Sequence, residues 1–202
     1  MASYAWLIPV LPAVSAAIII FFGKRLTYKG VEIGMPAAGI AFILAVAVAV
    51  EVFSGNVEVA NAAYGQGGAE GLASTGAAGG FTLVMFGGTH GVDLGMQVDG
   101  LTAMMFLLVT SVSFMVHWYS IGYMRGDARF TWYYALLSLF TFSMLLLVIA
   151  DNLLLLLVGW ELVGVCSFLL IGFWWEEKKN SDAALKAFLT TKIADAGLVG
   201  SG

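Results

Sequence analysis

A polytopic, all-α bundle of membrane-spanning helices is the fold this sequence predicts, on three observations. Apolar runs long enough to cross a hydrocarbon core of about 30 Å recur along the chain. Charged residues are 11% of the 202 positions against 60% apolar, roughly half the charge of an average soluble domain. Lys and Arg gather in the short segments after alternate runs, as the positive-inside rule requires. The net charge of −4 says less, because topology follows the basic residues and not the balance. Cys166 is the single cysteine, so no intrachain disulfide exists, and it reads as a small packing residue. No nucleic-acid partner is expected.

The first part, residues 1–53, carries two spans. Tyr4–Phe22 has no positive residue ahead of its apolar run, and Lys24 and Arg25 follow it. It therefore reads as a spanning helix with its N-terminus outside, not as a signal peptide. Pro9 and Pro12 fall early in it, where a helix tolerates them best. Lys24, Arg25 and Lys29 mark an inside loop, and Ile33–Phe53 is the second span. The second part, residues 54–100, is expected outside. It opens with a Gly/Ala/Ser/Asn stretch to Gly80 that has no Lys or Arg and reads as flexible loop. Phe81–Phe86 and Asp93–Asp99 then flank a Gly-rich GGTHGV, which predicts a small β-hairpin on the membrane surface, with His90 as a solvated turn residue.

The third part, residues 101–202, holds the remaining helices. Leu101–Trp118 and Phe130–Ala150 are separated by Arg125, Asp127 and Arg129. Asp151 and Asn152 form an outside turn or a polar cap for the fifth span, Leu153–Trp175. Glu176, Glu177, Lys178 and Lys179 make the next inside loop, and Asp182 opens a sixth helix. The count is five complete spans plus a sixth at the C-terminus. Its closing GLVGSG is a weak end for a span, so the chain reads as the N-terminal piece of a longer protein. No phosphate loop, paired metal ligands or Ser-His-Asp set occurs.

Chemistry is sought at the ionisable residues inside apolar runs. Glu161 lies about 14 Å from Asn152 at 1.5 Å per helical residue, which is about the midplane of the bilayer. A carboxylate there costs several kcal/mol unless it has a partner, a proton or a water path. Lys192 and Asp195 are three apart, neighbours on one helix face. Lys186 stands four residues after Asp182, where its side chain can snorkel. His117, just before Trp118 and Tyr119, reads equally as a proton relay or as an interfacial residue. Burial disfavours the charged form of a Glu or a Lys, and an opposite charge nearby restores it. A Glu and a Lys on neighbouring helices are therefore a poised couple, and a third charge switches which holds the proton. That is an element of a pump.

One stretch carries a specific resemblance. GWELVGVCSFLLIGFWW (Gly159–Trp175), with ADNLLLLLVGWE ahead of it and KAFLTTKIADAG (Lys186–Gly197) after it, resembles the subunit L family of the proton-pumping NADH:quinone oxidoreductase, respiratory complex I. VDGLTAMM and HWYSIGYM, at the two ends of the third helix, fit as well. The likeness covers nearly the whole chain outside the Gly/Ala-rich loop, but only about the N-terminal third of such a subunit. It implies an antiporter-like bundle in a bacterial cytoplasmic membrane. Glu161 then matches the essential glutamate of the fifth helix, which acts on a lysine of a seventh helix beyond Gly202. Lys192 and Asp195 match a basic-x-x-Asp pattern on the sixth helix, and Asp151 and Asn152 match the Asp-Asn before the fifth. Electrons would pass through FMN and iron–sulfur clusters on other subunits, leaving this chain without a cofactor of its own. Its partners would be neighbouring antiporter-like subunits and the lipid bilayer, with NADH and quinone bound elsewhere in the complex.

Three positions depart from that pattern. Lys192 stands where Arg is usual, which removes a bidentate guanidinium; Ala194 stands where Gly is typical; the Ser54–Gly80 loop is longer than expected. A second family, the large subunit of a multisubunit sodium/proton antiporter, shares the central glutamate. A scaffold without transport is the third reading.

Overall fold

The computed structural model describes residues 5–26, 28, 30–54, 81–86, 90–94, 100–150 and 153–200. Six α-helices and one strand pair form there. Residues 55–80, the second expected strand beyond Leu94, and the Asp151–Asn152 pair lie outside the described residues.

Helix α1, Leu7–Phe22, is apolar at almost every position and passes into a 3₁₀ turn over Gly23–Arg25. Helix α2, Val31–Phe53, follows Gly30. Gly30 has φ +104°, and a Cβ there would stand 2.8 Å from Ile19, so both the backbone and the neighbour demand glycine. Ala37, Ala38, Ala41, Ala45 and Ala49 line the buried face of α2; small side chains let helices approach where lipid offers no hydrophobic drive to associate. Strands β1, Phe81–Phe86, and β2, His90–Leu94, pair antiparallel, with Phe81 opposite Leu94 and Phe86 opposite His90. His90 is thus the first paired residue of β2. Helices α3, Gly100–Tyr123, and α4, Phe130–Ile149, are joined by a turn with Gly126 at φ +99°. Helices α5, Leu153–Ile171, and α6, Lys178–Gly200, complete the order.

Helix α4 is the hub, packed against α1, α3 and α5; α2 closes a four-helix bundle against α1 and α3. Helix α5 lies on the outer side of α4, and α6 packs on α5. Two apolar clusters fill the bundle ends. Ala5, Ile8, Ala41, Phe106, Val109, Leu145 and Ile149 form one; Ile19, Met124, Phe130, Tyr134 and Phe173 form the other. Buried polar residues of α3 and α4, among them Thr110, His117, Ser138 and Thr141, occupy the depth between them.

Three helix boundaries differ by four residues or more from those the sequence predicts. Helix α3 continues to Tyr123, beyond Trp118, because YSIGY still forms helix: Ser120 Oγ donates to the Val116 carbonyl at 2.7 Å and the Tyr119 and Tyr123 rings stack at 5.6 Å. Helix α5 ends at Ile171, not Trp175. Phe173 leaves the helix to pack edge-on against Tyr133 at 5.3 Å. Helix α6 begins at Lys178, so Lys178 and Lys179 are helical and not loop residues. The Glu177 carbonyl accepts from the Asn180 and Ser181 amides at 2.9 and 3.2 Å and starts the helix there.

Among the described residues, four helices (α2, α3, α4 and α5) are long and apolar enough to cross a membrane. Helix α1 has 16 residues, about 24 Å at 1.5 Å per residue. Helix α6 carries Lys178, Lys179, Asp182, Lys186, Lys192 and Asp195, which lower its hydropathy.

Candidate functional site

Helix α5 places Glu161 at its ninth residue of 19, about 12 Å from one end and 15 Å from the other. The apolar run LLLLLVGW ahead of it and LVGVCSFLLI after it specify one uninterrupted helix, so the carboxylate is held at mid-depth. Trp160, the residue before, projects from the same turn. Helix α6 brings up Lys192 and Asp195, one turn apart.

These four side chains form a ring across the α5/α6 seam, its last link being the backbone between Trp160 and Glu161. Lys192 pairs with Glu161. The Lys192 Nζ lies 3.8 Å from Asp195 Oδ2. Trp160 Nε1 donates to the other oxygen, Asp195 Oδ1, at 2.8 Å. Beneath the ring, Phe168 and Phe188 pack at 5.1 Å, and the Lys192 ammonium stands 5.3 Å from the Phe188 ring centre. Exposure falls from 40% at Glu161 through 26% at Lys192 to 14% at Asp195. One ammonium is thus shared by two carboxylates, and Glu161 is the more accessible of the two. Where water is scarce, such a cluster holds one proton too few for neutrality. A proton arriving at either carboxylate releases Lys192 to the other.

The sequence pointed to Glu161, Lys192 and Asp195, and the structure brings all three together. Lys186 is exposed on α6 and joins none of these contacts. Asp151 lies outside the described residues. His117 is not at a helix end: α3 runs six residues further, and the ring is buried between α3 and α4. The placement at the end of the third helix is therefore corrected. Its Nδ1 donates to the Ser113 carbonyl at 2.8 Å, so Nε2 accepts from the Ser138 hydroxyl at 3.2 Å. Ser113 Oγ and Thr141 Oγ1 meet at 2.6 Å, and the edge of Tyr134 abuts the imidazole at 5.2 Å. This polar layer sits on α3/α4, and the ring on α5/α6.

Trp160 and the hydroxyls were missed in the sequence. A Trp directly before a membrane carboxylate was the available signal for the first. Ser113 and His117 four apart on α3, and Ser138 and Thr141 three apart on α4, were the signal for the second.

Residues 85–134 match the family described as NADH-ubiquinone oxidoreductase (complex I), chain 5 N-terminus. Residues 150–201 match the family described as NADH:quinone oxidoreductase/Mrp antiporter transmembrane region, a range that contains all four ring residues. The chain belongs to the complex I chain 5 and antiporter-like membrane family. It is 39% identical over 195 residues to NADH-quinone oxidoreductase subunit L of Mycobacterium tuberculosis H37Rv, covering 96% of this chain and 28% of that one. It is 37% identical over 192 residues to F(420)H(2) dehydrogenase subunit L of Methanosarcina mazei, covering 95% and 25%. Over 108 residues it is 45% identical to subunit L of Escherichia coli K12, covering 54% and 18%. The chain thus spans about a quarter of the length of the subunit L relatives it matches across nearly its full extent. The fold is shared with a chain of the archaeal membrane-bound sulfane sulfur reductase, at a TM-score of 0.71 and 14% identity, over 96% of this chain and 35% of that one.

Proposed function

We propose that this chain is the Glu161-bearing portion of a proton-translocating membrane subunit of NADH:quinone oxidoreductase. The observation that carries the reading is the pairing of Lys192 on α6 with Glu161 at the middle of α5. Glu161 takes a proton when Lys192 leans toward Asp195 and gives it up when Lys192 returns, because the ammonium favours whichever carboxylate it faces as the ionised one. A charge moved near the ring by neighbouring parts of the complex throws the switch. Redox chemistry takes place on other subunits, which carry the FMN, the iron–sulfur clusters and the bound NADH and quinone; this chain handles protons.

In this reading the protein sits in a bacterial cytoplasmic membrane with its N-terminus outside. Helices α1 and α6 complete six passes, and the β1–β2 pair and Asp151 lie on the outer side. Positive charges at Lys24, Arg25, Arg125 and Arg129 support that orientation. Neighbouring antiporter-like subunits cover the flanks. His117 serves as a second proton-holding group, and Lys186 as a snorkelling charge at the inner end of α6. The electron donor is a property of the partners, which accords with relatives named for NADH and for F(420)H(2).

The sodium/proton antiporter is the second reading, since the family matched by residues 150–201 is described for both. One experiment separates them. Glu161→Gln is placed in the full-length subunit within its native complex, and NADH-driven, quinone-dependent proton uptake into inverted vesicles is followed, with assembly checked in parallel. An assembled complex that loses both oxidation and pumping supports the proposal. Wild-type pumping overturns it. Intact NADH oxidation with lost sodium/proton exchange transfers the chain to the antiporter class.

A further inference from the structure

Within the ring, Trp160 has a role that its neighbours do not explain. Half of it is exposed, at 50%, yet its Nε1 makes one directed bond, to Asp195 Oδ1 at 2.8 Å. An indole N–H donates only, so its natural partner is an acceptor that keeps its lone pairs free. That bond occupies one carboxylate oxygen and turns the second, Oδ2, toward Lys192 at 3.8 Å. At 3.8 Å the contact is looser than a direct charge-assisted hydrogen bond, which runs at about 2.7–2.9 Å. Lys192 is thereby left to Glu161, its closer partner. Without the tether, the Asp195 carboxylate is free to swing onto Lys192 from the same helix, one turn away, and to draw it from Glu161.

From this geometry we infer that Trp160 is a positioning residue of the proton site: it anchors Asp195 so that Lys192 remains shared with Glu161. The inference rests on the proton-handling reading of the ring. It extends that reading, because the tryptophan touches neither the ammonium nor the transferred proton and acts wholly through Asp195. Adjacency in sequence makes this economical. Trp160 and Glu161 occupy one turn of α5, so any movement of α5 against α6 alters the tether and the ion pair together.

The test uses the full-length subunit in its native complex and reads the pH profile of NADH-driven proton uptake into inverted vesicles. Trp160→Phe keeps the ring and removes the donor; Trp160→Leu serves if the phenylalanine variant does not assemble. The expected result is an assembled complex whose alkaline limb moves to higher pH, by less than the roughly one unit that a group losing its own hydrogen bond would show, because the change reaches Glu161 only through Lys192. The direction follows because Lys192, drawn to a freed Asp195, pulls less on Glu161. In an Asp195→Asn background the same substitution should produce no further displacement, since no carboxylate charge remains to be steered. A wild-type profile for the donor-less variant overturns the inference. So does an equal displacement in the Asp195→Asn background, which would show Trp160 acting by another route. Either outcome leaves the proton-handling reading standing if Glu161→Gln abolishes pumping in parallel. Wild-type pumping by Glu161→Gln removes that reading and this inference with it.

Discussion

His117 illustrates how one residue commits two helices. Its Nδ1 bond to the Ser113 carbonyl fixes the tautomer, and the fixed tautomer makes Nε2 the acceptor that meets Ser138 on α4. In lipid the alternative to such a bond is an unsatisfied polar group, although measured interhelical bonds in membranes average only about 0.6 kcal/mol and reach about 1.7. A double-mutant cycle on His117→Ala and Ser138→Ala, read by thermal unfolding in detergent, should therefore give a coupling of about 0.5–2 kcal/mol. A coupling of zero would mean that the 3.2 Å contact contributes nothing to the bundle. The residues of the α5/α6 ring were legible in the sequence for a plain reason: Glu161, Lys192 and Asp195 are charges within or beside long apolar runs, where charge is costly and conspicuous. Trp160 was not, because tryptophan is ordinary in membrane helices and only the three-dimensional approach of α6 reveals its acceptor. Burial of His117 was hidden for a different cause. Trp118 and Tyr119 read as the end of the helix, and the helix continues past them.

Helix pairs here are set by where side chains are missing. A Cβ built on Gly159 would stand 3.0 Å from both the N and the Cα of Leu147, so α4 and α5 touch backbone to backbone at that point. Backbone cannot rotate away as a side-chain tip can. Gly159→Leu should force the two helices apart and destabilise the protein by about 1–3 kcal/mol, the usual cost of overpacking; a lowered unfolding temperature in detergent reads it. Because Gly159 precedes Trp160 and Glu161 by one and two residues, the same substitution should also, under the proposed function, weaken proton uptake into inverted vesicles. An unchanged unfolding temperature would show that α4 and α5 are less closely apposed than 3.0 Å implies. Gly34 makes room on α2 for a side chain instead, the Tyr134 ring, whose Cε1 would lie 2.5 Å from an added Cβ. At this scale hydropathy located every helix but misplaced three ends by four residues or more. Aromatic residues account for two of them: YSIGY extends α3, whereas the apolar FWW after Gly172 looks like more of α5 and instead forms the turn that packs on α4. Hydropathy counts both alike, and only packing separates them.

Across the molecule, the two apolar clusters and the polar layer between them are joined at one bundle end by a charged clamp. Arg129, just before α4, meets Glu176, just beyond α5, through two parallel contacts of 3.0 Å, Nη1 to Oε1 and Nη2 to Oε2. The guanidinium also stands 5.2 Å from the Phe173 ring centre, and Trp174 Nε1 donates to Asp127 at 3.3 Å. The clamp therefore links the α3–α4 turn to the α5–α6 turn, so that the two ring-bearing helices are tethered to the four-helix bundle. The backbone N–H of Glu176 and the Arg129 side chain hold the Glu176 carboxyl below the usual carboxylate range. A carboxyl depressed in the folded state stabilises it above the unfolded value, and that contribution disappears as the pH falls through and below the ordinary range of about 4. The pair is exposed, so the effect is small and salt weakens it. Unfolding temperatures of the wild-type protein and of Glu176→Gln in detergent should consequently differ most near neutral pH. The gap should narrow on acidification, and also at 1 M salt, where the screening length is only about 3 Å. A gap that stays constant from neutral to acid pH would place the stabilising role of Glu176 in packing or in neutral hydrogen bonds, and would leave Arg129 without its charged partner as the fastener between the two helix groups.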